Sequence, residues 1–157
     1  GEGGGAANAR DCHGMTPLHI ASVYGFAAAV QVLHMEPSVI LDLQAGTNHD
    51  EDTALMKACG KGRGECVTTL LTDRRSGCID EVDGAGADAN LTNKINGWTA
   101  LHYAANGGHE SIVRALIGAR ASVHVRDNKG LDPLGVAVAK GHVHVVEVLK
   151  EYVVTTV

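Results

Sequence analysis

The chain has 157 residues, of which 45% are hydrophobic and 20% are charged, a balance that favours one globular domain and excludes a large multidomain enzyme. Its 18 acidic residues outnumber its 13 basic residues, and the formal net charge of −5 disfavours binding to nucleic acid or to an anionic membrane. No apolar run reaches the roughly 18 residues that cross a bilayer, and residues 1–5 lack the features of a signal peptide. We therefore expect a soluble, monomeric protein of the cytoplasm, with the nucleus left open.

A pattern recurs four times along the chain and defines the predicted elements. Residues 14–22 read GMTPLHIAS and residues 97–105 read GWTALHYAA, while residues 51–59 and 130–138 are looser copies. Equivalent positions in the four copies are Thr16, Thr53, Thr99 and Asp132. Their separations are 37, 46 and 33 residues. The last spacing is a clean unit, and the other two carry insertions of 4 and 13 residues.

Each copy predicts the same succession of elements. It begins with a Thr or Asp whose side-chain oxygen can cap the free amides of a helix. A glycine suited to a left-handed conformation then ends this helix in every copy, at Gly25, Gly62, Gly108 and Gly141. A second helix follows, with an apolar stripe that includes Ile112, Val113 and Leu116 in the third copy. An extended segment at 121–126 and a turn at 127–130 then lead into the next copy.

One such unit cannot bury its apolar stripes alone, so the copies must stack into an elongated solenoid. The segment TPLH at 16–19, the Gly-His pairs at 108–109 and 141–142, and GADAN at 86–90 closely resemble the ankyrin repeat. This resemblance implies an all-α solenoid of helix-turn-helix-hairpin units over a single domain, 1–157. The expected repeats span about 11–47, 48–93 with an insertion at 72–85, 94–126 and 127–153, after a partial repeat tail at 1–10.

Some positions depart from the repeat pattern. The second copy has Glu51 at the usual turn glycine and Met56 where His19 and His102 stand in other copies, so it is expected to be the weakest repeat. In the fourth copy Gly135 replaces that histidine. Arg120 occupies a position where the family usually has glycine, which predicts a strained or altered turn there.

Nine histidines raise the question of catalysis or metal binding. The resemblance implies that His19 and His102 bond backbone groups of an adjacent hairpin, and we expect the histidines after the helix-ending glycines to satisfy open amides of the turn. His142 and His144 are two residues apart, so on a helix they point in different directions and cannot chelate one ion.

The cysteines give no catalytic pattern. Cys59 and Cys66 stand where other copies have small or apolar residues, so we interpret them as buried hydrophobes. Cys12 and Cys78 are expected at exposed sites, with Cys78 in the insertion, but neither has a predictable histidine partner. No phosphate-binding, nucleophile-elbow or zinc-protease sequence occurs. We predict no enzyme activity, no catalytic residue, no cofactor or metal, and no small-molecule substrate.

The predicted function is a non-catalytic protein–protein interaction module, since solenoids of this kind present a long pre-formed surface. The resemblance implies that a partner protein binds through hairpin tips and the concave inner-helix face. The candidate partner-binding residues are Arg10, His13, Met15, Tyr24, His49, Asp50, Asp52, Lys61, Asn96, Trp98, Asn106, Arg126, Asn128, Lys129, Leu131 and Lys140. Met15, Trp98 and Leu131 predict an apolar stripe that Asp52 interrupts, which a partner with apolar side chains and a central basic residue would complement.

Trp98 has two interpretations at this stage. It is the only tryptophan, and an indole with a free N–H is a favoured interface anchor. Alternatively, it packs on neighbouring hairpins. Two other functions also remain open, namely a stoichiometric enzyme (kinase) inhibitor and the targeting segment of a larger enzyme or channel.

Overall fold

A computed structural model of the chain describes residues 7–42, 51–72 and 86–155. Eight helices lie wholly within these ranges, and no strand occurs in them. In chain order they are α1 (Pro17–Tyr24), α2 (Ala27–Met35), α3 (Ala54–Lys61), α4 (Gly64–Leu71), α5 (Ala100–Gly107), α6 (Glu110–Gly118), α7 (Pro133–Lys140) and α8 (Val143–Thr155). The expected all-α architecture is confirmed, but the predicted hairpins are extended loops with tight turns rather than paired strands.

The predicted helix boundaries are also found. The side chains of Thr16, Thr53, Thr99 and Asp132 each accept a hydrogen bond from the backbone amide three residues later. The glycines that follow the first helices have φ between 70° and 76°, which is the left-handed conformation expected after a helix. Each repeat thus begins with a short helix that is capped at both ends.

The repeats stack in register. The first helices, α1, α3, α5 and α7, pack in one row, and the second helices, α2, α4, α6 and α8, pack in another. Leu18, Leu55 and Leu101 are equivalent residues of the first row, and each is fully buried. The two rows form an α-solenoid whose core lies between them.

Hydrogen bonds between loops reinforce this stacking. Asn90 accepts a bond from the Ser122 amide (2.7 Å) and donates one to the Arg120 carbonyl (3.4 Å). Asn8 makes the same pair of bonds to the loop at 38–40, at 2.9 and 2.6 Å. Each asparagine therefore joins the end of one repeat to the end of the next.

Two departures from the repeat pattern have clear structural outcomes. Met56 replaces the usual histidine by accepting the Thr53 amide on its sulfur at 3.4 Å. Arg120 has a φ of 65° and is the only non-glycine residue of the described ranges with a positive φ. The predicted unusual turn is confirmed, and it holds an arginine in a conformation that favours glycine.

Candidate partner-binding face

The surface formed by α1, α3, α5, α7 and the turns that precede them is here called the inner-helix face. Its turns are shaped by aspartates. The carboxylate of Asp127 accepts the amides of Lys129 (2.8 Å) and Leu131 (2.9 Å), and Gly130 has a φ of 79°. Asp11, at the equivalent position three repeats earlier, accepts the same two hydrogen bonds from the amides of His13 and Met15. These internal bonds fix the turn tips without a partner.

A groove of about 500 Å³ lies on this face between the third and fourth repeats. Its walls come from α5, α7 and the turns before them. It brings together seven of the predicted partner-binding residues: Asn96, Trp98, Asn106, Asn128, Lys129, Leu131 and Lys140. It is also lined by Ile95, Asp127, Val136 and Ala139. This groove is the candidate site.

Other predicted residues lie outside the groove. Arg10, His13, Tyr24, Lys61 and Arg126 are exposed, and Met15 is half-buried. The Tyr24 ring stacks on Phe26 with centroids 5.9 Å apart. His49 and Asp50 lie outside the described residues.

Asp52 corrects the sequence-based expectation. It was expected on the surface, as an acid interrupting an apolar stripe, but it is only 6% exposed. Its Oδ1 accepts hydrogen bonds from Asn93 Nδ2 and the Tyr103 hydroxyl, both at 2.6 Å, and Lys57 Nζ lies 3.8 Å from Oδ2. We call these four residues the Asp52 cluster. It joins the second repeat to the third and does not present a free carboxylate.

Trp98 packs between neighbouring turns. Its Nε1 donates to Asp127 Oδ2 at 2.9 Å. Its ring lies edge-on to Tyr103, with centroids 5.0 Å apart, and stacks near His102 at 6.1 Å. The indole N–H is therefore already occupied, as the packing interpretation requires, although the half-buried ring also lines the groove.

Asp127 is held as a carboxylate. Burial opposes its ionisation, but hydrogen bonds from the amide of Leu131, the indole of Trp98 and the amide of Lys129 outweigh burial and lower the pKa of Asp127 below its ordinary value. At neutral pH this side chain is therefore a carboxylate that can accept all three hydrogen bonds.

The helix-start histidines behave as the resemblance implies. The Thr99 amide donates to His102 Nδ1 at 3.1 Å, so Nε2 carries the proton and donates to the Leu131 carbonyl at 3.0 Å. His19 makes the equivalent bond to the Asp52 carbonyl at 3.1 Å. Burial lowers the pKa of His102, against the opposing effect of the Leu131 carbonyl. Both histidines thus link neighbouring repeats through a side-chain hydrogen bond.

His142 corrects a second expectation. It was expected to satisfy amides of its own turn, but its Nε2 donates to the Asn106 carbonyl of the preceding repeat at 2.9 Å. Arg63 fills the corresponding place in the second repeat, where its Nε donates to the Val23 carbonyl at 3.0 Å. Both side chains cover the glycine that ends the preceding inner helix.

Four groove residues, namely Ile95, Asp127, Val136 and Ala139, are not among the partner-binding residues predicted from the sequence. Asp127 stands in an Asp-Asn-Lys-Gly turn, whose first side chain characteristically bonds backbone amides. Val136, Ala139 and Lys140 are spaced three and four residues apart on α7, which places them on one helix face. Both signals were available, but only Lys140 was predicted.

The remaining chemistry is limited among the described residues. They contain no group of three side chains able to hold a metal ion, and none of their helices is long and apolar enough to cross a membrane. Cys12 is exposed, whereas Cys59 and Cys66 are buried, and burial raises the pKa of both buried thiols. The expectation that these two cysteines act as buried hydrophobes is confirmed; Cys78 lies outside the described ranges.

Comparisons with known proteins agree with this architecture. A family model described as ankyrin repeats in three copies matches residues 3–83 and 74–156. A probable E3 ubiquitin-protein ligase of Oryza sativa subsp. japonica, XBOS32, is 28% identical over 164 residues, which cover 85% of this chain and 30% of the relative. The ankyrin repeat-containing protein ITN1 of Arabidopsis thaliana is 34% identical over 117 residues, covering 68% and 20%.

A third relative, the putative E3 ubiquitin-protein ligase XBAT31 of Arabidopsis thaliana, is 31% identical over 144 residues, covering 84% of this chain and 28% of the relative. The chain thus spans less than a third of the length of each of these relatives.

Proposed function

Since the chain belongs to the ankyrin-repeat family, we propose that it is a non-catalytic module that binds a partner protein along the inner-helix face, centred on the groove between the third and fourth repeats. The observation that carries this proposal is the groove itself, which gathers residues from two turns and two helices into one open concavity. The predicted residues outside the groove would extend the site at its edges.

The rigidity of the groove supports this function. His102 and Trp98 bond the Leu131 carbonyl and the Asp127 carboxylate across the repeat boundary. Asn128 adds a hydrogen bond from its side chain to the Ile95 carbonyl at 2.9 Å. A partner would meet walls that are already ordered, so little conformational entropy would be lost on the module's side.

The test compares capture of proteins from an extract of the source organism by three forms of the chain. One is unchanged, one carries Leu131→Ala and Lys140→Ala in the groove, and the control carries Glu151→Ala and Val154→Ala on exposed positions of α8. A protein retained by the unchanged and control forms but lost by the groove form supports the proposal. Equal retention by all three would place the interaction elsewhere on the chain.

Calorimetry with the purified partner then measures the loss directly. We expect the groove form to bind more weakly by about 1 kcal/mol or more, because an exposed apolar anchor and a charge would be removed together. Far-UV circular dichroism of all three forms verifies that helical content is unchanged.

A second candidate function is the recruiting segment of a larger enzyme. Two relatives are named E3 ubiquitin-protein ligases, and each aligns with 84% or more of this chain but with 30% or less of its own length. In this case the groove would select the protein to be modified, and chemistry would lie in other domains. This function would be favoured if the captured partner is ubiquitinated in the extract and the groove variant abolishes that modification. A stoichiometric inhibitor would be favoured instead if adding one equivalent of the chain abolishes an enzymatic activity of the partner.

A further inference from the structure

We propose that the groove selects a partner segment that combines acidic with apolar side chains. The inference rests on the proposed function, because it assigns the partner chemistry of the same groove. It is based on two observations. Charged side chains are distributed unequally between the two rows of helices, and the acidic side chains beside the groove already accept hydrogen bonds within the chain.

Among the helices, acidic side chains occur in only one of the two rows. The four first helices contain no Asp or Glu, and their only charged side chains are Lys57, Lys61 and Lys140. The second helices carry the acids of the helical rows, namely Glu65, Glu110, Glu147 and Glu151. Lys57 belongs to the Asp52 cluster, whereas Lys61 and Lys140 are exposed, so in a chain with a formal net charge of −5 the helices of the inner-helix face present only basic charges.

The acids nearest the groove are already engaged. Asp127 accepts three N–H groups, and Asp132 caps α7 by accepting the Gly135 amide at 2.7 Å. Lys129 and Lys140 line the groove, are exposed, and have no ion-pair partner within the described residues. A carboxylate entering the groove would meet two ammonium groups without displacing an existing pair.

The apolar part of the groove favours a polypeptide over a phosphate polymer. Ile95 and Leu131 are 48% and 37% exposed, and Val136 continues the same wall. Apolar side chains of a partner protein would bury this surface favourably. The charged sugar-phosphate backbone of a nucleic acid would bring no apolar group to pack against it. The Asn106 carboxamide also lines the groove and makes no hydrogen bond inside the described part of the chain, so it is available to a partner's backbone.

This inference reverses the complementarity expected from the sequence. A basic partner residue was predicted because Asp52 was placed on the surface. With Asp52 buried against Lys57, the exposed charges at the centre of the candidate site are the two lysines, and the complementary partner is acidic.

The experiment selects binders from a displayed library of random peptides on the immobilised chain. Two variants with the same change in net charge are compared: Lys129→Glu with Lys140→Glu in the groove, and Arg114→Glu with Lys150→Glu at exposed positions of α6 and α8, outside the inner-helix face. Circular dichroism checks that both are folded. Selected peptides are then synthesised and their affinities for all three forms are measured by fluorescence anisotropy, beside a single-stranded oligodeoxynucleotide.

We expect the unchanged chain to enrich peptides rich in Asp or Glu with interspersed large apolar residues. Their affinity should fall about tenfold or more in the groove variant and much less in the control, because only the groove variant places like charges beside the bound carboxylates. Loss of affinity at raised ionic strength should accompany this difference.

Four results would overturn the inference. Selected peptides without acidic bias, or acidic peptides that bind both variants equally, would remove the charge selection while leaving an interaction module in place. Tighter binding of the oligodeoxynucleotide than of any peptide, lost in the groove variant, would assign the lysines to phosphate instead. Enrichment of no peptide would also contradict it, and the capture experiment described above would then show separately whether the module function fails as well.

Discussion

Replacing Asp52 by alanine should destabilise the fold strongly, because the Asp52 cluster joins the second and third repeats. The substitution removes a carboxylate that accepts two hydrogen bonds of 2.6 Å and lies 3.8 Å from Lys57 Nζ. The Lys57 side chain, which is only 10% exposed, loses this counter-charge. The Asn93 carboxamide and the Tyr103 hydroxyl lose the oxygen that accepts their hydrogen bonds. We expect a loss of about 3 kcal/mol in the free energy of unfolding.

The assay is urea-induced unfolding followed by two probes. Far-UV circular dichroism reports all helices, and the fluorescence of Trp98, whose ring lies 5.0 Å from that of Tyr103, reports the region beside the cluster. Asp88→Ala is the matched control, since Asp88 is an exposed aspartate, and its loss should be below about 1 kcal/mol.

Tyr103→Phe sharpens the interpretation. This variant removes the hydroxyl that donates to the Asp52 carboxylate at 2.6 Å and accepts longer bonds from the carboxamides of Asn93 and Asn96, at 3.3 and 3.4 Å, and it should cost about 1.5 kcal/mol. In the double variant Asp52→Ala/Tyr103→Phe, the cost of Tyr103→Phe should be clearly smaller than in the unchanged chain, because the carboxylate that accepts its strongest hydrogen bond is already gone. If Asp52→Ala were no more destabilising than Asp88→Ala, or if the two cluster substitutions were additive, the buried cluster would be refuted and a surface role for Asp52 would return.

Three other predictions test local features. Arg120→Gly should raise the free energy of unfolding by about 1 kcal/mol in urea, because φ is 65° at this residue, while Arg120→Ala should give no such gain. Burial lowers the pKa of His102 below 6.5, so the unfolded chain binds a proton at this side chain more readily than the folded chain does. The free energy of unfolding should therefore fall as the pH drops through about 6.5 and below. His102→Met, which introduces the side chain found at Met56, should reduce that slope by at most about 1.4 kcal/mol per pH unit; an unchanged slope in urea titrations at several pH values would contradict the assignment. Cys12 should react with a thiol reagent in the native protein and Cys59 only after unfolding, as mass mapping of the labelled residues can establish; native labelling of Cys59 would show that its site is open.

The parts of the fold that could be predicted are those governed by neighbours in sequence. A capping threonine acts on an amide three residues away, and a helix-ending glycine such as Gly108 is needed for its own φ of 70°. The strained turn at Arg120 was likewise visible by comparison with glycines expected at the equivalent position. Such features need only local sterics and hydrogen bonding, so one sequence contains them.

The Asp52 cluster could not be predicted because its members are distant in sequence. Asn93 and Tyr103 lie 41 and 51 residues from Asp52, and the irregular spacing of the second repeat hides which side chains face one another. Met15, Trp98 and Leu131 share a position in the pattern, and position alone predicted an exposed acid at Asp52. Asp52 is buried instead, because Lys57 and the two neutral donors Asn93 and Tyr103 surround its carboxylate.

The groove and the stacking of repeats depend on the same bonds. His102 holds the Leu131 carbonyl, Trp98 holds the Asp127 carboxylate, and Asp127 in turn fixes the amides of the turn that carries Lys129. Loss of binding in a Trp98→Ala variant would therefore combine a lost contact with a loosened turn. Truncating the exposed Leu131 or Lys140 side chain leaves those bonds intact, since Leu131 uses only its backbone in them. Only the latter variants can attribute a change in affinity to contact with the partner.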